Sequence, residues 1–398
     1  MSPRTSSCVY CGAAPAPHSL LFIESTIDIL TSRILFPIVS PFVGLLFTPA
    51  SFIVDSLGSL TASILSTFGL LTYTSDTSLA ASSRTKAVWK EAEHRGISMQ
   101  TAILGGRSLE LSRACVPNKN GKKSWHYFQS LPIPPWKDSY SAPTIDDKAV
   151  LKQLFEKNNL PIPRGGTALS SSGALSRFRA LSGPVIVKPQ DGSRARHTTV
   201  DITDENELVL AFKRAQQLCL FVMVEEFIPG TLYRATCVDG KLIGVIAFIK
   251  PSIIADGVQT AEELRTAHNA KKKFPHLTDV EDNAWFTDAL AHQGFTKESI
   301  PPEGTRLLLS EHSERENGGY FIDCTDSVPQ GTVETIEKAA RVCEAHVVGF
   351  DIISESLEDV HKRFVFIEAN TLPFIEIHSI PYEGTPRNVA GALWDSWS

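Results

Sequence analysis

Two apolar runs near the C-terminus each deliver an acid. Val347-Val348-Gly349-Phe350 is closed by Asp351, and Phe364-Val365-Phe366-Ile367 is followed by Glu368 and then, one residue further on, Asn370. Short apolar runs of this kind read as strands, so two carboxylates and an amide oxygen stand at the ends of neighbouring strands. Hard oxygen donors suit Mg²⁺, which is normally held by one or two carboxylates together with substrate phosphates. Taken alone, the same acids could simply terminate strands.

A second group of candidates lies upstream. The apolar stretch Pro184 to Val187 runs into Lys188-Pro189, and the loop Gln190-Asp191-Gly192-Ser193-Arg194-Ala195-Arg196 leads to a further strand, His197 to Ile202. A lysine leaving a strand beside a short loop suits phosphate binding, with the ammonium supplying charge and the loop amides around Gly192 and Ser193 supplying donors. An ordinary surface hairpin is the alternative. After a helix from Asp204 to Gln217, the strand Leu220 to Val224 enters Glu225-Glu226 and Phe227-Ile228-Pro229-Gly230. Such a polar hinge after an apolar strand is a place where backbone groups can read an adenine.

These segments need a scaffold, and from about Ser83 the pattern is that of an α/β enzyme. Lys86 to Gly96 reads as a helix ended by glycine, Ile97 to Leu104 and Trp125 to Leu131 read as strands, and Pro132, Pro134 and Pro135 mark a linker. The helix Ile145 to Asn158 carries Val150, Leu151, Leu154 and Phe155 at helical spacing. It ends before the extended Leu160-Pro161-Ile162-Pro163.

The 398 residues are 42% apolar and 21% charged, ordinary globular values that allow two or three domains and a sizeable core. With net charge −6 and no basic block longer than Lys271-Lys272-Lys273, a nucleic-acid surface is not expected. Seven cysteines (Cys8, Cys11, Cys115, Cys219, Cys237, Cys324, Cys343) at no repeating spacing fit reduced thiols in a cytoplasmic setting. Cys8-x-x-Cys11 is half a zinc site and is read as part of a non-binding tail.

The stretches Ile34 to Val54 and Ser56 to Ser75 hold no charged residue, each close to the roughly 20 residues of a membrane-spanning helix. Three prolines interrupt the first. In the second, Leu57, Leu60, Ile64, Phe68 and Leu71 form one apolar stripe with Ser and Thr elsewhere, the pattern of a helix lying on a surface. A membrane-associated hairpin, a helical cap packed on protein and a spanning segment all stay open. A cleavable signal peptide is not expected, because little positive charge precedes Leu20.

In this order the parts resemble the ATP-grasp superfamily, and within it the ATP-grasp domain of cyanophycin synthetase and related carboxylate-amine ligases. The residues that carry the likeness are Asp147-Lys148, Leu160 to Pro163, Val187-Lys188-Pro189, Val224 to Gly230 with Tyr233-Arg234, Asp256-Gly257, Gly318-Gly319, Asp323 to Asp326, Gly349 to Ile352, Glu368-Ala369-Asn370, and His378 with Gly384 to Arg387. The resemblance implies an α/β (α+β) fold in which two α+β subdomains grip ATP. Residues 1–19 would be a flexible tail, 20–80 an apolar helical segment, 83–143 a reduced pre-ATP-grasp domain and 144–398 the ATP-grasp domain.

The activity implied is phosphoryl transfer from ATP to a carboxylate, followed by attack of an amine on the acyl phosphate, with ATP and Mg²⁺ (or Mn²⁺) required. Carried over by position, Lys148 and Lys188 would hold the α and β phosphates, Gly192 and Ser193 belong to the phosphate loop, and Glu225, Glu226 and Phe227 would face the adenine. Asp351, Glu368 and Asn370 would bind the metal. Arg234 and Arg387 would act catalytically near phosphate or carboxylate. The expected substrate is an amino acid or small peptide, with a membrane surface as a second partner through residues 20–75.

The departures from the family matter too. The phosphate loop keeps only Gly192, and Leu232 stands where relatives commonly carry an acid. Ser310 and Glu376 replace arginines. With no Mur-ligase-like half in view, cyanophycin synthesis is not expected. A degenerate nucleotide-binding protein without turnover is the rival reading, and oligomeric state is left open by the sequence.

Overall fold

The computed structural model describes residues 8, 17–30, 71–80, 82–117, 121–134, 145–191, 196–271, 278–311, 313, 318–359 and 361–397. Gly192, Ser193, Cys11 and most of the apolar stretch, Leu57 to Phe68 included, lie outside the described residues.

The N-terminal helix α1 (His18–Leu30) rests on the protein through Ser25, whose buried hydroxyl donates to the Leu218 carbonyl at 2.9 Å. Leu20, Ile23 and Ile27 stay exposed on its other side. Among the described residues no helix is long and apolar enough to cross a membrane.

A small sheet follows, built in the order β1 (Leu71–Thr74), β2 (Ser98–Leu104), β3 (Arg107–Pro117), β4 (Lys123–Gln129), with helix α2 (Ser83–His94) against it. Leu71, expected on a helical stripe, instead pairs with Leu104 across β1 and β2, so this sheet starts ahead of residue 83. The reason is cross-strand burial: Leu71 becomes buried, and sheet packing outweighs local periodicity. Strand β3 is an element the sequence reading passed over. Its signal was Gly105-Gly106, both with positive φ, the two-residue turn that lets β2 and β3 fold back on each other.

Helix α3 (Lys148–Lys157) leads into the first large lobe. Its first free amides, at Ala149 and Val150, are capped by the Asp147 carboxylate at 2.7 and 3.1 Å. The lobe itself comprises β5 (Gly165–Ala168), α4 (Ser171–Ala180), β6 (Val185–Pro189), β7 (Thr199–Ile202), α5 (Glu205–Ala215) and β8 (Val222–Glu226), with strand order β5-β8-β6-β7. Both helices cover one core of Val185, Val187, Ile202, Leu208, Phe212, Val222 and Val224.

The second lobe holds β9 (Thr231–Val238), β10 (Lys241–Ile249), β11 (Ser252–Ile254), α6 (Ala261–Ala270), α7 (Ala284–His292), β12 (Arg306–Leu308), β13 (Tyr320–Asp323), α8 (Gln330–Cys343), β14 (Val347–Ser354) and β15 (Phe364–Asn370). Its five-stranded sheet runs β13-β10-β9-β14-β15, all antiparallel, with β11 and β12 as a separate ribbon. Side chains alternate between the faces of a strand. Ala235, Val245, Phe350 and Ala369 point into a core with Ile336 and Ala339 of α8 and Phe155 of α3. Phe155 and Phe350 are fully buried, each worth about 1.5–3 kcal/mol relative to exposure. The intervening residues are left for the other face. The chain closes with α9 (Val389–Asp395), which returns to α2 and packs Leu393 and Trp394 on Val88, Trp89 and Met99.

Candidate active site

The register of the large sheet places its chemistry. Arg234 on β9 lies opposite Asp351 on β14, which lies opposite Glu368 on β15. One step along, Gly244, Thr236, Gly349 and Asn370 stand in a second row. Directly opposed residues share a face, so both expected metal-binding acids, the amide and Arg234 are brought onto one surface. The pairing slips between Asp351 and Ile352: Glu368 faces Asp351 and Phe366 faces Ile352, leaving Ile367 as the extra residue of a bulge. Bulges re-aim neighbouring side chains, and this one directly precedes Glu368.

Two cations engage the acids. The Arg234 guanidinium donates to Asp351 Oδ1 at 2.6 Å, and Lys148 Nζ lies 3.6 Å from Glu368 Oε2. The Asn370 side-chain nitrogen is buried with no partner among the described residues. Three oxygen-bearing side chains on one face, next to cations that can also meet phosphate, fit a hard divalent ion of the Mg²⁺ type.

From the first lobe come Lys188, at the end of β6, and Glu225, on β8. Glu225 is buried and bridges two ammonium groups, Lys152 Nζ at 2.8 Å and Lys188 Nζ at 2.9 Å. Burial alone would raise its pKa, but the charges of Lys188 and Lys152 outweigh that and hold the carboxyl below its ordinary value. Lys152 was missed at the sequence level. It sits one helical turn after Lys148, so the two project from the same face of α3, and that spacing was the available signal. A narrow cleft between the lobes is lined by Lys148, Lys152, Met223, Glu225 and Ile367. Lys148 therefore reaches the acids through Glu368, while Lys152 and Lys188 hold Glu225 across the cleft.

Glu226 is turned to a different task. Its carboxylate accepts from Arg164 Nε at 3.0 Å and from Arg363 at 2.6 Å. Burial opposes ionisation there, yet the Arg363 and Arg164 hydrogen bonds prevail and bring its pKa to about 2. Because Arg363 precedes β15, this pair ties one lobe to the other. The Glu226 and Phe227 amides donate to Arg164 O and Pro184 O, both at 2.9 Å. An adenine at this hinge would therefore meet other backbone groups than these two N–H donors.

Arg387 stands on the far side of the face. Its guanidinium reaches Asp323 at 2.9 Å and Asp326 at 2.6 Å, and its amide donates to the His378 carbonyl at 2.8 Å. His378 is fully buried, with Nε2 2.7 Å from Thr236 Oγ1. Burial, reinforced by Arg234, pushes its pKa down to about 3, which keeps it neutral. Room for this pair comes from Gly244: a Cβ there would lie 2.8 Å from His378 Nδ1 and 3.2 Å from Arg387 Cγ. Of the residues singled out in the sequence, Lys148, Arg234, Asp351, Glu368 and Asn370 form one cluster, Lys188 and Glu225 border it, and Arg387 enters through His378.

No family model matches the chain. Among curated proteins it is similar to cyanophycin synthetase of a Nostoc species, 28% identical over 335 residues that cover 80% of this chain and 35% of that protein. It is also similar to the glutathione biosynthesis bifunctional protein GshAB of Desulfotalea psychrophila, 26% identical over 278 residues, covering 65% of this chain and 35% of that protein. The chain thus spans about a third of the length of these relatives. Among solved structures, a bifunctional glutathione synthetase from Pasteurella multocida superposes with a TM-score of 0.56 at 21% identity, over 79% of this chain and 43% of that one. That likeness is one of fold.

Proposed function

We propose that this chain belongs to the ATP-grasp superfamily and is an ATP- and Mg²⁺-dependent carboxylate-amine ligase acting on an amino acid or small peptide. The observation that carries the reading is that Lys148 joins the acid face of Asp351, Glu368, Asn370 and Arg234 to a cleft in which Lys152 and Lys188 share Glu225. Phosphoryl transfer asks a protein mainly to position groups and compensate charge, and this set supplies cations and metal ligands without a nucleophile.

A substrate carboxylate oxygen attacks the γ-phosphorus of ATP, the bond to the β-γ bridging oxygen breaks, and ADP leaves. The amine nitrogen then adds to the acyl carbon, inorganic phosphate departs with the former carboxylate oxygen, and the nitrogen gives up a proton. Lys148 and Lys188 would hold the α and β phosphates, exchanging the carboxylates of Glu368 and Glu225 for phosphate oxygens. Arg234 and Arg387 would face the transferring phosphoryl group and the carboxylate. Mg²⁺, held by Asp351, Glu368 and Asn370, would supply charge neutralisation at the phosphates.

The substrate class is supported by the names of the two relatives, both enzymes that build amino-acid-derived products. Contact with a membrane surface through residues 20–75 is the finer reading of the N-terminus, supported by exposed Leu20, Ile23 and Ile27. Flotation of the full chain with liposomes tests that point.

The test of function is product analysis with a panel of amino acids and small peptides as acid and amine. ADP and phosphate should appear only when Mg²⁺ or Mn²⁺, a carboxylate and an amine are all present. AMP and pyrophosphate would reject the acyl-phosphate route. Tight nucleotide binding with no turnover across the panel would instead favour the degenerate, non-catalytic reading.

A further inference from the structure

Away from the cleft, three side chains that no part of the ligase chemistry uses come together. Cys8 Sγ lies 3.5 Å from His197 Nε2, and the His18 and His197 rings meet edge to face with centroids 4.7 Å apart. One ligand atom from each of Cys8, His18 and His197 lies within 4.8 Å of the other two. In a tetrahedral zinc site with Zn–S and Zn–N bonds of ordinary length, a sulfur and a nitrogen ligand stand about 3.5 Å apart. The Cys8–His197 separation already matches that edge, and a movement of about 1 Å would bring in the third atom.

His197 is also prepared as a ligand. It is buried, and Nδ1 lies 2.7 Å from the Arg214 carbonyl at the end of α5. That carbonyl can only accept, so Nδ1 carries the hydrogen and the Nε2 lone pair is directed at Cys8. Metal-bound histidines characteristically donate their second ring nitrogen in this way, which fixes ring orientation and raises ligand basicity. The backbone at His197 has φ +52°, a conformation other than glycine, asparagine, aspartate and histidine seldom adopt.

We infer that Cys8, His18 and His197 form a zinc site that fastens the N-terminal segment to the end of the phosphate loop. One thiolate and two imidazoles select Zn²⁺ over Mg²⁺ by ligand softness, and the Cys8 thiol releases its proton to solvent on binding. Cys11, three residues beyond Cys8 in the sequence, lies outside the described residues, and the site does not depend on it. His197 closes the loop Gln190–Arg196, and the Ser25 anchor to Leu218 O at 2.9 Å holds the same segment near the same end of α5. A metal here would therefore couple the N-terminus to the element expected to cover phosphate. The inference does not rest on the ligase reading.

The test uses the full chain, stripped with a chelator, loaded with Zn²⁺ or Co²⁺ in excess Mg²⁺, desalted and analysed for metal. The wild type should retain about one zinc per chain, and its cobalt form should show a thiolate-to-metal charge-transfer band. Cys8→Ser and His18→Asn replace half-buried groups outside the core, so folding should survive, as circular dichroism would show. Each should lower zinc affinity at least about a hundredfold, the upper end of what loss of a supporting partner costs, and Cys8→Ser should abolish the cobalt band. Equal zinc retention in wild type and Cys8→Ser, or a cobalt form without the thiolate band, would overturn the site and leave Cys8 as a hydrogen-bonding thiol. Either outcome is read from metal content, with or without ligase turnover.

Discussion

Glu368 illustrates what a single residue does here. Its carboxylate is part-exposed, faces the cleft and stands 3.6 Å from Lys148 Nζ, well beyond the 2.8 and 2.9 Å contacts of buried Glu225, so its neutral isostere gives up a weak pair. Glu368→Gln should lower turnover at least about a hundredfold, about 2.7 kcal/mol of transition-state stabilisation, with the melting temperature nearly unchanged. Asp326→Asn, whose exposed carboxylate shares Arg387 with the well-buried Asp323, should lose much less. Steady-state kinetics beside thermal melts decide, and near-normal activity of Glu368→Gln at saturating Mg²⁺ would make Glu368 a structural residue of β15. Glu225→Gln is the contrasting case, because it strips the shared partner from two buried ammoniums. Breaking a buried pair costs about 3–5 kcal/mol, so this variant should be clearly less stable in chemical denaturation.

His378 adds a pH dependence at the same scale. Its folded pKa of about 3 lies below the ordinary 6.5, so the unfolded chain binds the proton that the folded chain refuses. The contribution of this group to stability is therefore highest above pH 6.5 and falls as the pH drops from 6.5 towards 3. His378→Gln should flatten the stability profile across that window. Melts from pH 4 to pH 7 check it, and identical slopes for variant and wild type would refute the assignment.

At the scale of elements, the sheet β9-β14-β15 works because its two faces have separate duties. One is apolar against α3 and α8, and the other carries Arg234, Asp351 and Glu368. That second face also needs empty space. A Cβ on Gly349 would fall 2.6 Å from Pro373 Cβ and 3.2 Å from Arg234 Cδ. Gly349→Ala should thus cost about 1–3 kcal/mol as overpacking and reduce activity by displacing Arg234 from Asp351. A crystal structure of the variant with Arg234 unmoved, or full activity, would count against this reading.

At the scale of the molecule, the C-terminus holds the domains together. α9 sends Trp394 into the core of the small N-terminal domain, its indole N–H donating to the Val88 carbonyl at 3.1 Å, while Trp397 donates to Pro132 O at 2.8 Å. The domain that begins near Leu71 is therefore completed by residues from the other end of the chain. Trp394→Ala should destabilise by about 3–5 kcal/mol, the usual loss for a large buried aromatic. If denaturant curves show the small domain unaffected, the shared core is less important than its packing indicates.

The sequence alone showed the apolar runs of β14 and β15, the acids that follow those runs and the lysine that follows the run Pro184 to Val187, because these depend on local runs, spacing and residue type. That Asp351 and Glu368 lie inside their strands rather than at the ends was decided by the pairing in the sheet. The sequence was enough to notice the resemblance to the ATP-grasp superfamily and to nominate Asp351, Glu368, Asn370, Lys148 and Lys188. Facing relations belong to the tertiary structure, because register and lobe packing join residues far apart in the chain. Only there does Glu225 become the bridge between Lys152 and Lys188, Glu226 a link to Arg363, and Leu71 a strand residue instead of part of a helical stripe. Cys8-x-x-Cys11 read as half a zinc site in a non-binding tail, because the histidines that stand near Cys8 are not its neighbours in sequence. His197 reaches Cys8 across 189 positions, a meeting no spacing rule can see and only the folded chain can make.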